Sequence, residues 1–138
     1  MKVLFLNSPQ LVEEHFERAA PLLAQVIAEA AHGEFTIADL RAMALDGRVI
    51  VCIVEDDDGV RVAGAIEFKH YPQILALNIM AVAGRDFVDI AADLLAPLCE
   101  VGRAAGATVI EASCSPAMAR LLAQYSFADT YRVVRLAL

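Results

Sequence analysis

The stretch Leu75-Ala-Leu-Asn-Ile-Met-Ala-Val-Ala-Gly-Arg-Asp-Phe-Val-Asp-Ile-Ala-Ala-Asp-Leu94 decides how the rest of the chain is read. An apolar run from Ile74 to Val82 reads as a buried strand, Ala83-Gly84-Arg85 as a sharp turn and Asp86 as the start of a helix. Strand, glycine turn and helix in that order bring free backbone N–H groups and the positive end of a helix dipole to the carboxyl edge of a sheet. That arrangement suits an anion such as a pyrophosphate, and a ligand site is expected here.

Two strands are expected before it. Arg48-Val-Ile-Val-Cys-Ile-Val54 is β-branched and almost wholly apolar, the pattern of a strand in the middle of a sheet. Val60 to His70 is the next strand, with Asp58-Gly59 as the hairpin signal between the two and Tyr71-Pro72-Gln73 as the turn into Ile74. The three strands make an antiparallel meander. After the turn at Gly84, a helix over about Phe87–Arg103 is expected to bury Val88, Ala91, Leu94, Leu95, Leu98 and Val101, with Pro97 bending or breaking it. Gly106 then releases the chain into a fifth strand, Ala107 to Ser113, and a strand–helix–strand order implies a parallel neighbour. Ser115-Pro116 caps a last helix with Met118, Leu121 and Leu122 inward, ending near Tyr125-Ser126, and Asp129 to Leu138 reads as a terminal strand.

Towards the amino end, Met1 to Leu6 is a first strand, too short and too weakly patterned for a signal peptide. Ser8 and Pro9 open a long amphipathic helix that Pro21 kinks or divides and Gly33 ends. Thr36-Ile-Ala-Asp39 is a capping box for a short helix that stops at Gly47.

A chain of 138 residues is one domain, residues 1–138, with room for a real core. Its hydrophobic fraction of 59% is high, yet no apolar run approaches the roughly 20 residues that span a bilayer, so no membrane partner is expected. Cys52, Cys99 and Cys114 are odd in number and set in apolar sequence, which fits buried thiols in a reducing, cytoplasmic setting. The formal net charge of -7 argues against sequence-independent nucleic-acid binding, which relies on clustered Lys and Arg. Glu55-Asp56-Asp57-Asp58 reads as a solvated hairpin tip rather than a calcium loop, and His15, His32 and His70 suggest no metal site.

Glu67 and Glu111 are carboxylates in otherwise apolar strands, where burial could raise a pKa towards neutrality and make a general base; a solvated strand face is the plainer alternative. His70 could act as a base at the substrate end or simply be a surface residue. Asn78 either hydrogen-bonds inside a bulge or lines a cleft.

The order β-α-α-β-β-β-α-β-α-β, an α/β (α+β) mixed sheet of about six strands with helices on both faces, resembles the fold of the GNAT N-acetyltransferases. Gly33 to Arg41, Asp46-Gly-Arg48, Val62-Ala-Gly-Ala65, Ala83-Gly-Arg-Asp86, Gly106-Ala107 and the final helix with Phe127 resemble small GNAT-like proteins of bacteriophages and prophages. The resemblance implies acetyl-CoA or coenzyme A as cofactor, lying along the fourth strand with its pyrophosphate on the turn, lined by Ala81, Val82, Ala83, Gly84, Arg85 and Asp86. It also implies a tyrosine general acid on the last helix. Leu122 stands at the family's position, Ser126 replaces the family's glycine, and Tyr125, out of register by nearly a full helical turn, is either the nearby substitute or an amphipathic residue closing the helix end.

Three functions stay open at this point: acetyl transfer to a small amine or a protein amine; a non-catalytic module binding a phage or host protein, located in the host cytoplasm or the virion; and an acidic inhibitor of a nucleic-acid enzyme acting by charge mimicry. The apolar Val133 to Leu138 allows a homodimer by strand exchange or edge pairing. An open, splayed gap between the fourth and fifth strands would favour the enzyme, and a gap filled by Met80, Phe87 or Leu122 the module.

Overall fold

The computed structural model describes residues 1–85 and 87–138. Strand β1 (Lys2–Leu6) leads to Ser8, whose hydroxyl accepts from the Leu11 N–H at 3.2 Å and caps helix α1 (Pro9–Ala30). Pro9 sits in the first turn, where its missing donor costs nothing. Pro21 lies exposed inside α1, and the helix continues through it, so the expected division does not occur. Thr36 and Asp39 form a reciprocal capping box at the start of α2 (Ile37–Leu45), with bonds of 3.1 Å and 2.9 Å.

Strand β2 (Ile50–Asp56) turns through Asp57 and Asp58 into β3 (Gly59–His70), and Gly59 takes a φ of +118°, which a side chain rarely adopts. The turn after His70, closed by the Tyr71 N–H donating to the Ile74 carbonyl at 2.9 Å, leads into β4 (Leu75–Gly84). Helix α3 (Phe87–Ala104) runs unbroken through Pro97, and β5 (Val109–Ala112) and α4 (Pro116–Ala123) follow. The sheet order is β1-β2-β3-β4-β5, antiparallel except for the parallel β4–β5 pair.

The continuous apolar run of β2 is explained by cover on both sides. Val51 and Ile53 join Val12, Phe16, Leu23 and Leu40 in a core under α1 and α2, while Cys52 and Val54 join Ile90, Leu94 and Leu98 in a core under α3. Burial pushes the Cys52 thiol up to about 12, so this residue is an inert core group.

Several expectations are corrected. Val88 is 64% exposed, because the buried stripe of α3 runs through Ile90, Ala91, Leu94 and Leu98, and Val88 lies two residues, about 200°, away from Ile90. Cys114 is exposed rather than buried, and Met118, Leu121 and Leu122 of α4 reach only partial burial. The sheet has five strands instead of six: Asp129 to Leu138 has no regular structure, and Val133, Val134, Leu136 and Leu138 are exposed. Consecutive Val133 and Val134 would point to opposite faces of a strand, and β5 has only four residues to offer a ladder.

Strand β4 carries one extra residue. Ala65 pairs with Ala81 and Ile66 with Ile79, so Met80 is left over as a β-bulge. The alternation inverts across it: Leu77 and Ile79 pack towards α3, Met80 and Ala81 both towards α1 and α2, and Val82 towards α3 again. Pairing with β5 stops at the same place, the last pair being Ile79 with Ala112, while β4 runs on to Gly84. Bulges bend a strand and increase its twist, and here the bend coincides with the point where the two strands part.

Gly84 is needed for contact with β3 itself. A Cβ there would fall 2.6 Å from Val62 Cγ2 and 2.9 Å from Val62 Cα, and would strike the Arg61 carbonyl oxygen. Gly84→Ala is therefore expected to destabilise the fold by about 1–3 kcal/mol, read as a lowered midpoint in urea denaturation. A midpoint equal to that of the parent chain would refute the close packing. Ser126 holds a φ of 70°, the left-handed region, so Ser126→Gly is expected to be neutral or stabilising by up to about 1 kcal/mol in the same assay.

Candidate functional site

Register alone brings three polar residues into one row. Glu67 of β3 lies opposite Asn78 of β4, and Asn78 lies opposite Glu111 of β5. Ala63 and Ala65 face α1 and α2, so Glu67 does too; Ile110 faces α3, which turns Glu111 to the other side with Glu67 and Asn78. Asn78 is 7% exposed and donates from Nδ2 to Glu67 Oε1 at 3.0 Å, so its burial is compensated. At the far end the Tyr71 hydroxyl donates to Glu111 Oε1 at 2.7 Å.

The hydrogen bond to the Glu111 carboxylate, followed by one with Tyr131, raises Tyr71 above its ordinary pKa of 10.0, since loss of the phenolic proton would leave a negative oxygen facing a carboxylate. A folded-state pKa above the unfolded one contributes stability that is present below about pH 10 and lost as the pH rises beyond it.

Glu67 and Glu111, expected singly from the sequence, are thus carried on one face with Asn78 between them. Tyr125 is not joined to this row. It is half-buried where α4 ends, its N–H donating to the Leu122 carbonyl at 2.9 Å, and its hydroxyl makes no hydrogen bond among the described residues. His70 is exposed and its place in the strand alternation puts it on the α3 side. Tyr71 and Tyr131 escaped the sequence reading: Tyr71 looked only like part of a turn and Tyr131 like part of a strand.

The expected cofactor positions lie on the free part of β4. Ala81, Val82 and Ala83 pair with β3 on one side and have no β5 partner on the other. Gly84 ends the strand, Arg85 is exposed in the turn and makes no ion pair among the described residues, and Asp86 lies outside the described residues. Met80 packs into the core under α1 and α2 and Phe87 into the core under α3, so both are engaged with core clusters flanking the gap. Next to the bulge a cleft of about 370 Å³ is lined by Glu34, Phe35, Asp39, Met43, Arg48 and Met80. Among the described residues no cluster of His, Cys, Asp or Glu is arranged to hold a metal ion, and no helix is long and apolar enough to cross a membrane.

Several solved structures with this architecture are acetyltransferases. A probable acetyltransferase superposes over 100% of this chain and 97% of its own with a TM-score of 0.76 at 12% identity. An aminoglycoside N-acetyltransferase in complex with CoA covers 99% of this chain and 93% of its own, with a TM-score of 0.75 at 14% identity. Glucosamine-6-phosphate N-acetyltransferase from Arabidopsis thaliana covers 99% and 97%, with a TM-score of 0.68 at 13% identity. No protein-family model and no curated protein matches the sequence. The chain has a GNAT-like fold.

The chain has three tyrosines, so the Tyr71 contact can be read in a titration followed by tyrosinate absorbance. One phenol is expected to ionise well above pH 10, and in Glu111→Gln that delayed component should move back towards 10. An unchanged profile in the variant would show that Glu111 does not hold Tyr71.

Proposed function

We propose that this protein transfers an acetyl group from acetyl-CoA to an amine. The observation that carries the reading is the parting of β4 from β5 at the Met80 bulge, which leaves the backbone from Met80 to Gly84 without a strand partner on its β5 side, beside a row of two carboxylates. Unpaired backbone of this kind fits the amide groups of a pantetheine arm, as an added strand fits a sheet edge. Acetyl-CoA, when bound, would supply the activated acyl group and would leave as coenzyme A, its thioester C–S bond breaking as the new C–N bond forms and its sulfur taking a proton from solvent.

The chain's own residues have the remaining tasks. Backbone N–H groups of β4 near Met80 and Ala81 hold the acyl oxygen as negative charge develops on it, and Arg85 offers a charge-assisted contact to the phosphates. Glu111 accepts the proton of the attacking amine, with Tyr71 fixing its carboxylate, and Glu67 with Asn78 lines the same face. Holding the amine in place is itself a large part of the rate. Tyr125 stays outside this reading because no hydrogen bond links it to the row.

A non-catalytic, phage-associated interaction module on the same fold is the second reading, and the packing role of Gly84 leaves room for it. Gly84 is required by its contact with Val62 whether or not a phosphate ever lies on the turn.

Calorimetric titration with acetyl-CoA tests the first reading, and micromolar saturable binding is expected. Arg85→Glu should weaken it at least about tenfold without lowering thermal stability, since reversing the charge replaces attraction by repulsion. Glu111→Gln should lower kcat by about 10²–10⁴-fold and leave acetyl-CoA affinity unchanged. Absence of binding at millimolar acetyl-CoA would overturn the transferase and leave the module.

A further inference from the structure

Glu34, in the wall of the cleft beside the bulge, is already paired with a cation from its own chain. Arg135, on the C-terminal segment without regular structure, places Nη2 3.2 Å from Glu34 Oε1 and donates from Nη1 to the His32 carbonyl at 3.4 Å. Glu34 lines the cleft of about 370 Å³ with Met80 also in its wall. Met80 stands two residues from Asn78 on the same face of β4, about 7 Å along the strand, so the cleft adjoins the row of Glu67, Asn78 and Glu111.

The other charged groups of the cleft are engaged within their own elements. Asp39 accepts from the Thr36 N–H in the capping box, and Arg48 pairs with Asp46 at 3.2 Å. Glu34 alone among the carboxylates lining the cleft has its cationic partner on a segment without regular structure, with Val134 90% and Leu136 86% exposed. Such a segment has few buried contacts to lose on moving away. Farther back along it, Tyr131 reaches Tyr71, and Tyr71 reaches Glu111. The segment thus spans from the proposed base to the cleft.

We infer that Glu34 is a specificity residue that holds a second cationic group of the acceptor, so that the preferred substrate is a diamine, and that Arg135 occupies this position in the free protein and competes with it. This rests on the transferase reading of the neighbouring row. One amine of the substrate enters at Glu111 and loses its proton there; the other stays charged against Glu34.

Titration of the full chain with 1,5-diaminopentane and with 1-aminopentane, in the absence of acetyl-CoA at low salt, tests this. Arg135→Ala is expected to bind the diamine about two- to fivefold more tightly than the parent, the scale of one exposed ion pair. Glu34→Gln should bind it about tenfold more weakly, the scale of a lost charge-assisted hydrogen bond. In the double variant, Arg135→Ala should bring no gain, because its competitor role acts through Glu34. Affinity for 1-aminopentane should stay level across all four proteins. Equal diamine affinity in parent and Arg135→Ala, a gain that persists without Glu34, a parallel gain for the monoamine, or no diamine binding at millimolar concentration would each overturn the inference. Failure of the transferase reading shows separately, as absent acetyl-CoA binding with the diamine data intact.

Discussion

One surplus residue in β4 governs the geometry of this protein. Because side chains alternate along a strand, inserting Met80 between two paired positions reverses which face every later residue addresses. Ala81 then joins the core under α1 and α2, Val82 the core under α3, and Gly84 comes close enough to Val62 to exclude any side chain. The same bend takes β4 away from β5, leaving a strand that is fully paired on one edge and open on the other from Met80 onward. An open edge in the middle of a sheet leaves backbone donors and acceptors to be satisfied by something other than a strand.

The helices that flank this gap are set by apolar contacts rather than by the visible ion pairs. Arg41 pairs with Glu13 at 2.9 Å and lies 3.7 Å from Glu17, linking α2 to α1, and Arg18 pairs with Glu55 at the hairpin end of β2. These pairs sit largely in solvent, where each is worth about 0–1 kcal/mol. Full burial of Phe16, Leu23 or Leu40 contributes about 1.5–3 kcal/mol apiece. The polar row is a different case. Asn78 is buried, so leaving its amide unpaired would cost more than the bond to Glu67 contributes, and this makes the pairing a constraint on register as well as on chemistry.

Electrostatics at the row favours a ligand that arrives with positive charge. Glu67 and Glu111 face the same side, Glu34 stands at the adjoining cleft, and the chain carries a formal net charge of -7. Desolvation, the largest single effect on the Glu34 carboxyl, raises its pKa, but hydrogen bonds from the Glu34 and His32 backbone and the contact with Arg135 together outweigh it and hold the carboxyl below its ordinary value. It is therefore ionised when it meets a cation.

What the sequence by itself determined is the set of features carried by neighbouring residues. Ser8 with Pro9, Thr36 with Asp39, Asp58 with Gly59, and Ser115 with Pro116 each act within a few positions, so the caps, turns and order of elements were legible, and that order pointed to the GNAT fold. Glu67, Glu111 and Asn78 stood out as polar residues in apolar strands. Only the tertiary structure decided that they share one face, that Met80 is the bulge, that Tyr71 rather than Tyr125 reaches a carboxylate, and that Asp129 to Leu138 lies alongside as an exposed segment with Arg135 at Glu34. Pairing register and contacts between residues as far apart as Glu34 and Arg135 depend on how whole layers pack, and no local pattern in the chain encodes them.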